Sequence, residues 1–187
     1  MTRSSAPPQA AVDFLLRLDA GHVAHRAERS LLTHLTATYD LLVSWDATEP
    51  VALAGLCHSV YGTDGFEHAC LAPDQRDPVR VAIGVEAERL AYLFCAMERD
   101  AFFGTLGSNR LESRFGDGEI TVSDAETRAM CEILLANEID LAIAKKGAGR
   151  PDKIEKKVGP FYALVGDYVS PAARACYLAV TAEKVPS

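Results

Sequence analysis

All five histidines of this chain, His22, His25, His34, His58 and His68, fall within its first 68 residues. Two of them stand where packing alone favours an apolar side chain. His34 has Leu31, Leu35 and Thr38 around it, Leu31 and Thr38 one helical turn away, which places its imidazole on the edge of an apolar stripe. His58 closes the run Val51-Ala-Leu-Ala-Gly-Leu-Cys-His-Ser-Val-Tyr-Gly, whose other ionisable groups are the weakly acidic Cys57 and Tyr61. A polar group in such a setting needs a partner. Asp140 is the third candidate: of the residues one helical turn away, Ala136, Asn137, Ile143 and Ala144, Asn137 alone is polar and is placed to orient the carboxylate. Two neutral imidazoles and a carboxylate drawn from three helices make a metal centre with positions left for water or substrate. The same residues also suit a plainer arrangement, in which the histidines are satisfied core residues and Asp140 pairs with an arginine.

The elements that must position these residues are helices. Apolar residues recur with helical spacing along the chain, with no sustained period-2 alternation and no internal repeat. The expected order begins with a helix over Val12 to Leu18, then one from Leu31 to about Trp45 capped by Ser30, then one from Val51 to about Val60 opened by Pro50. Residues 63–78 read as a loop, and Val79 to Arg99 as two helical pieces divided at Gly84. Turn chemistry followed by β-formers over Phe115 to Val122 marks one small hairpin. Ser123-Asp-Ala-Glu126 is a capping box that starts the longest helix, ending near Lys145 and Lys146. A lysine- and glycine-rich loop follows to Val158, then a helix around Phe161 to Tyr168 and a last one from Ser170-Pro171.

The expected architecture is one compact all-α domain over residues 12–187, after a disordered N-terminal stretch of residues 1–11. It divides into a site-bearing core at 21–145, a basic loop at 145–158 and C-terminal helices at 159–182. The chain has 187 residues, 49% of them hydrophobic and 24% charged, as expected of an ordinary globular protein. A net charge of −7 argues against general binding to nucleic acid or anionic lipid. The first eleven residues lack the apolar core of a signal peptide and no stretch is apolar enough to cross a membrane, so a cytoplasmic location is expected. Five cysteines without a Cys-x-x-Cys pair argue against a disulfide framework or a thiolate zinc site.

Gly-His22-Val-Ala-His25, His34-Leu-Thr-Ala-Thr-Tyr39, Leu-Ala-Gly-Leu-Cys-His58-Ser-Val-Tyr-Gly-Thr63 and Ala136-Asn-Glu-Ile-Asp140 together resemble the HD-domain superfamily of metal-dependent phosphohydrolases, in a branch of bacterial type. The family's order of His, His-Asp and Asp falls here on His34, His58-Ser59 and Asp140. The resemblance spans residues 21 to about 140 and implies an HD-like helical fold with His34, His58 and Asp140 as metal ligands. Ser59 departs from the family pattern, because a serine hydroxyl stands where the signature carboxylate belongs. Without that anion a Mg²⁺ or Mn²⁺ hydrolytic site is weakened, and the remaining set is similar to the 2-His-1-carboxylate centre of non-haem Fe(II) oxygenases. The superfamily includes di-iron oxygenases with further histidines after the pair; only His68 follows here, so one metal ion is expected.

Fe(II) is therefore the favoured metal, with Mn or Mg as alternatives, and a small-molecule oxygenase the favoured activity. A phosphohydrolase and a non-catalytic ligand-binding protein remain as alternatives. The resemblance also makes His22 a candidate fourth ligand and His25 a candidate for proton handling. Tyr61 and Thr63, just past His58, are expected to face the same cavity, as a proton donor and a substrate contact. Lys145, Lys146 and Arg76 are candidate contacts for an anionic substrate, with Arg80 beside them, while Ser59, Asn137 and Thr38 are expected to support the ligands. The apolar helix Ala172 to Val180 suits a homodimer contact as well as a core.

Overall fold

The computed structural model describes residues 6–23, 29–146 and 150–182, leaving the side chain of Lys146 aside. It contains helices α1 (Gln9–Arg17), α2 (Leu31–Ser44), α3 (Glu49–Leu56), α4 (Asp77–Ile83), α5 (Val85–Ala96) and α6 (Arg99–Gly104). The hairpin β1 (Arg110–Ser113) and β2 (Gly118–Thr121) follows, then α7 (Asp124–Lys146), α8 (Pro151–Val165) and α9 (Pro171–Thr181). The strands pair antiparallel, with Arg110 opposite Thr121 and Ser113 opposite Gly118. The class is all-α with one small hairpin, as the sequence implies. No helix among the described residues is long and apolar enough to cross a membrane.

α7 is the axis of the fold. The capping box forms at its start: the Ser123 N–H donates to Glu126 Oε2 at 2.8 Å, and the Glu126 N–H donates back to Ser123 Oγ at 3.2 Å. From Ile133 to Asp140 every residue is buried, because α2, α3, α5, α8 and α9 all pack against this helix. A helix enclosed in this way must pair each polar side chain it carries.

α2 crosses α3 closely at Gly55, where a Cβ would stand 2.2 Å from Leu42 Cδ1. Ser30 caps α2 by accepting from the Thr33 N–H at 3.2 Å. α4 and α5 are separated by Gly84 at φ 87°, the division expected at that glycine.

The hairpin's first strand lies before Phe115, α6 forms where no element was expected and α4 begins at Asp77, and three further boundaries differ for local reasons. α1 begins at Gln9, so residues 9–11 are helical and not disordered; Pro8 precedes it with φ −55°, already helix-compatible. α3 ends at Leu56, before Val60, and the chain continues through turns. There the His58 Nδ1–H donates to the Gly55 carbonyl at 2.7 Å, replacing the Ser59 N–H that a longer helix would supply. Residues 151–158 of the basic segment are helical: Pro151 opens α8, whose lysines ride above buried Ile154 and Val158. Burial at four-residue spacing outweighs the charge that made the segment read as loop.

Candidate metal centre

The three residues singled out by type and spacing meet. α2 supplies His34, the turn after α3 supplies His58, and α7 supplies Asp140, all buried. His34 Nε2 and His58 Nε2 lie 3.2 Å apart, with the rings edge to face at 81°. Asp140 stands on the other side of the His34 ring, its Oδ2 2.6 Å from His34 Nδ1. Arg29 holds both oxygens of that carboxylate, through Nη1 at 3.2 Å and Nη2 at 2.6 Å. Burial pushes the Asp140 carboxyl up, but the hydrogen bonds from His34 and Arg29 outweigh it and hold the group below the usual carboxylate range.

These contacts fix the tautomers. A carboxylate and a carbonyl only accept, so His34 Nδ1 and His58 Nδ1 both carry hydrogen. In its neutral form each ring then presents a lone pair at Nε2, and the two Nε2 atoms face each other at 3.2 Å. Asn137 Oδ1 lies 3.1 Å from His34 Nε2, where it accepts from that nitrogen when it is protonated and stands as a third lone pair when it is not. Its amide orientation is set by Nδ2, which donates to Glu138 Oε1 at 3.1 Å.

His34, His58, Asn137, Glu138, Ser59, Thr63, Gly65, Phe66, Arg99 and Leu141 line a pocket of about 30 Å³, the space of one ion or one water. Ser59 Oγ is buried with no hydrogen-bond partner among the described residues. The His58 ring is further set by Phe94, edge to face at 5.3 Å, and its carbonyl accepts from Cys95 Sγ at 3.1 Å. The Thr38 hydroxyl donates to the His34 carbonyl at 3.1 Å, steadying the backbone that carries the ring.

Among the described residues no three His, Cys, Asp or Glu side chains are arranged to hold one ion together. The reason is the position of Asp140: with His34 between it and His58, it orients the His34 ring and does not face the space between the two imidazoles. The donors that do fit a cation are the two Nε2 atoms and Asn137 Oδ1, each imidazole donating its other N–H to an oxygen, as metal-bound histidines do.

Several expected site residues lie elsewhere. His22 is exposed and its Nδ1 contacts Asp19 Oδ1 at 2.7 Å, away from the buried pocket, because its segment turns outward after α1. His25 and the side chain of Lys146 lie outside the described residues. Lys145 is exposed at the end of α7. Tyr61 points to α5, where its hydroxyl donates to Glu88 Oε1 at 3.0 Å; burial and that carboxylate push its phenol well above the usual range, so it does not serve the pocket as a proton donor.

Arg76 grips the same Glu88 through Nε at 2.7 Å and Nη2 at 2.8 Å, and Arg80 joins through Nε at 3.1 Å; neither lines the pocket. Thr63, Ser59, Asn137 and Thr38 are at the site as expected.

Sequence reasoning missed Arg29, Arg99, Glu138 and Lys157. Glu138 is 2% exposed on α7 and receives Arg99 Nη1 at 3.1 Å and Lys157 Nζ at 2.8 Å. The signal for it was the apolar run Ile133-Leu-Leu-Ala136 with Ile139, which leaves α7 no polar face.

Residues 14–99 match the family model of a domain of unknown function (DUF6817). That match takes in His34, His58 and Ser59 and stops before Asn137, Glu138 and Asp140. Comparison with curated proteins and with solved structures finds no match.

Proposed function

We propose that the protein is a metal-dependent enzyme acting on a small molecule, with one divalent cation held by His34 Nε2 and His58 Nε2 and with Asn137 Oδ1 beside them. The observation that carries this reading is the convergence of three lone-pair atoms within about one hydrogen-bond length. A metal cation is one way to satisfy lone pairs that face each other, and imidazoles that donate Nδ1–H to an oxygen are arranged as metal-bound histidines are. The order His34 on α2, His58-Ser59 on the turn after α3 and Asp140 on α7 supports an HD-like fold as part of the proposal.

Imidazole nitrogen suits iron and its neighbours, whereas Mg²⁺ asks for carboxylate oxygens. Both nearby carboxylates are taken, Asp140 by Arg29 and Glu138 by Arg99 and Lys157. Fe(II) is therefore favoured over Mn or Mg, and oxidation of the substrate over hydrolysis. A bound Fe(II) supplies redox chemistry towards dioxygen. The chain's own contributions are specific: Asp140 and the Gly55 carbonyl hold the ring protons, Ser59 and Thr63 offer hydroxyls, and Phe66 and Leu141 keep bulk water out.

A phosphohydrolase is the second reading, favoured by Arg99 on the pocket wall, a cation suited to an anionic substrate.

Metal content decides the matter. Protein purified without chelator, or reconstituted anaerobically with Fe(II), is expected to hold near-stoichiometric iron that His34→Ala and His58→Ala abolish. Asp140→Asn is expected to retain binding weakened about 10- to 100-fold, since it loses an orienting contact and not a ligand. Dioxygen uptake with candidate substrates, against phosphate release in anaerobic Mn²⁺ buffer, separates the two chemistries. A wild type that takes up no metal after reconstitution overturns the reading and leaves a non-catalytic binding protein.

A further inference from the structure

Glu138 is the residue that decides which pole of Asn137 faces the histidines. An asparagine amide has an accepting end and a donating end of nearly equal shape, so a buried one points as its neighbours dictate. Here its Nδ2 donates to Glu138 Oε1. The same carboxylate is held by Arg99 from the start of α6 and Lys157 from α8, whose side chains are 18% and 29% exposed. Two cations from separate elements hold the carboxylate of this 2%-exposed residue in place. The Arg99 guanidinium is itself seated against Gly65, where a Cβ would meet its atoms at 3.6 to 3.8 Å.

From these contacts we infer that Glu138 is a positioning and specificity-determining residue: by fixing the Asn137 amide it makes the pocket a cation site. This inference rests on the metal reading above. If the amide turned over, Nδ2 would face His34 Nε2 and the pocket would offer a donor where it now offers an acceptor. An N–H aimed at the ion position excludes a metal and favours a water or an anion. Glu138 touches no ion itself; it acts through Asn137.

Two measurements test this. In the metal-free wild type, nuclear Overhauser contacts of the Asn137 amide protons report its orientation directly. Strong contacts to the Arg99 side chain, with weak ones to the ring protons of His34 and His58, are expected; the reverse pattern overturns the inference even if metal binds.

The second measurement is Co(II) titration followed by visible absorption. Glu138→Gln, which can donate to Asn137 Oδ1 and so turn the amide, is expected to raise the dissociation constant at least tenfold. Adding Asn137→Asp, which accepts from either end, is expected to restore most of that loss. Equal affinity in wild type and Glu138→Gln overturns the inference, as does a loss that Asn137→Asp fails to restore. Failure of the wild type to bind Co(II) or Fe(II) overturns the metal reading instead, while the amide contacts still report on Glu138. Should Glu138→Gln not fold, the wild-type contacts decide alone.

Discussion

Asp140 shows how one side chain can be essential to a site without entering it. Its carboxylate takes Arg29 on both oxygens and leaves Oδ2 for His34 Nδ1, so the charge is spent on holding a ring in one tautomer. Because these partners keep its carboxyl below the usual range, the stabilisation is complete above the ordinary carboxylate value of about 3.9 and is lost as pH falls through the lower folded-state value. Breaking a buried pair on one side typically costs about 3 to 5 kcal/mol. Asp140→Asn should therefore be about 3 kcal/mol less stable than wild type in urea at pH 7. The gap should close as the pH drops below 4, because the wild type then loses its own charge there. A gap that stays constant down to pH 2 would mean that the carboxylate is not held ionised.

At the scale of elements, the site depends on how closely α2 and α3 approach. His34 rides on α2 and His58 on the turn after α3, so the distance between their Nε2 atoms is set by the crossing at Gly55. Gly55→Ala would drive a methyl into buried Leu42, and overpacking of this kind costs about 1 to 3 kcal/mol. We expect thermal unfolding to shift down and metal affinity to fall with it, since helices pushed apart carry the imidazoles apart. Unchanged affinity in the folded variant would show that Leu42 yields without moving α2.

Most of the helices were legible because they carry local signals, α6 being unread. Ser30 caps α2, Pro50 and Pro171 sit in first turns, Gly84 divides α4 from α5, and Ser123 with Glu126 opens α7. The lysine-rich start of α8 was not legible, because Ile154 and Val158 find their partners only when α7 is already in place. His34, His58 and Asp140 could be chosen from the chain alone, as polar residues on apolar faces. Their roles could not: that Asp140 stands behind the His34 ring, and that Arg29 claims its oxygens, are facts of packing between segments more than a hundred residues apart.

Across the whole molecule, charge is distributed so that acids buried in the fold are met by cations from distant elements. The chain from Lys145 onward is net +4 and the rest −11, and Lys157 brings part of that positive charge onto α7. Two buried glutamates are gripped in the same way, each by two cations and one uncharged donor. Glu88 takes Arg76, Arg80 and the Tyr61 hydroxyl, and so ties the turn after α3 to α4 and α5. Glu138 takes Arg99, Lys157 and the Asn137 amide, and so ties α6 and α8 to α7 beside the pocket. Similar chemistry should have different consequences. Glu88→Gln removes the charge from a fully buried site and should lower stability by about 3 to 5 kcal/mol, because Arg76 and Arg80 lose their common anion. Its folded fraction should bind Co(II) with wild-type affinity, since the hydrogen bonds of Glu88 go to Arg76, Arg80 and Tyr61 and not to Asn137. Titrating Co(II) into Glu88→Gln and Glu138→Gln at a temperature where both are folded makes the comparison. If Glu88→Gln weakened binding as much as Glu138→Gln, the loss would come from general loosening of the fold and not from the polarity of the Asn137 amide.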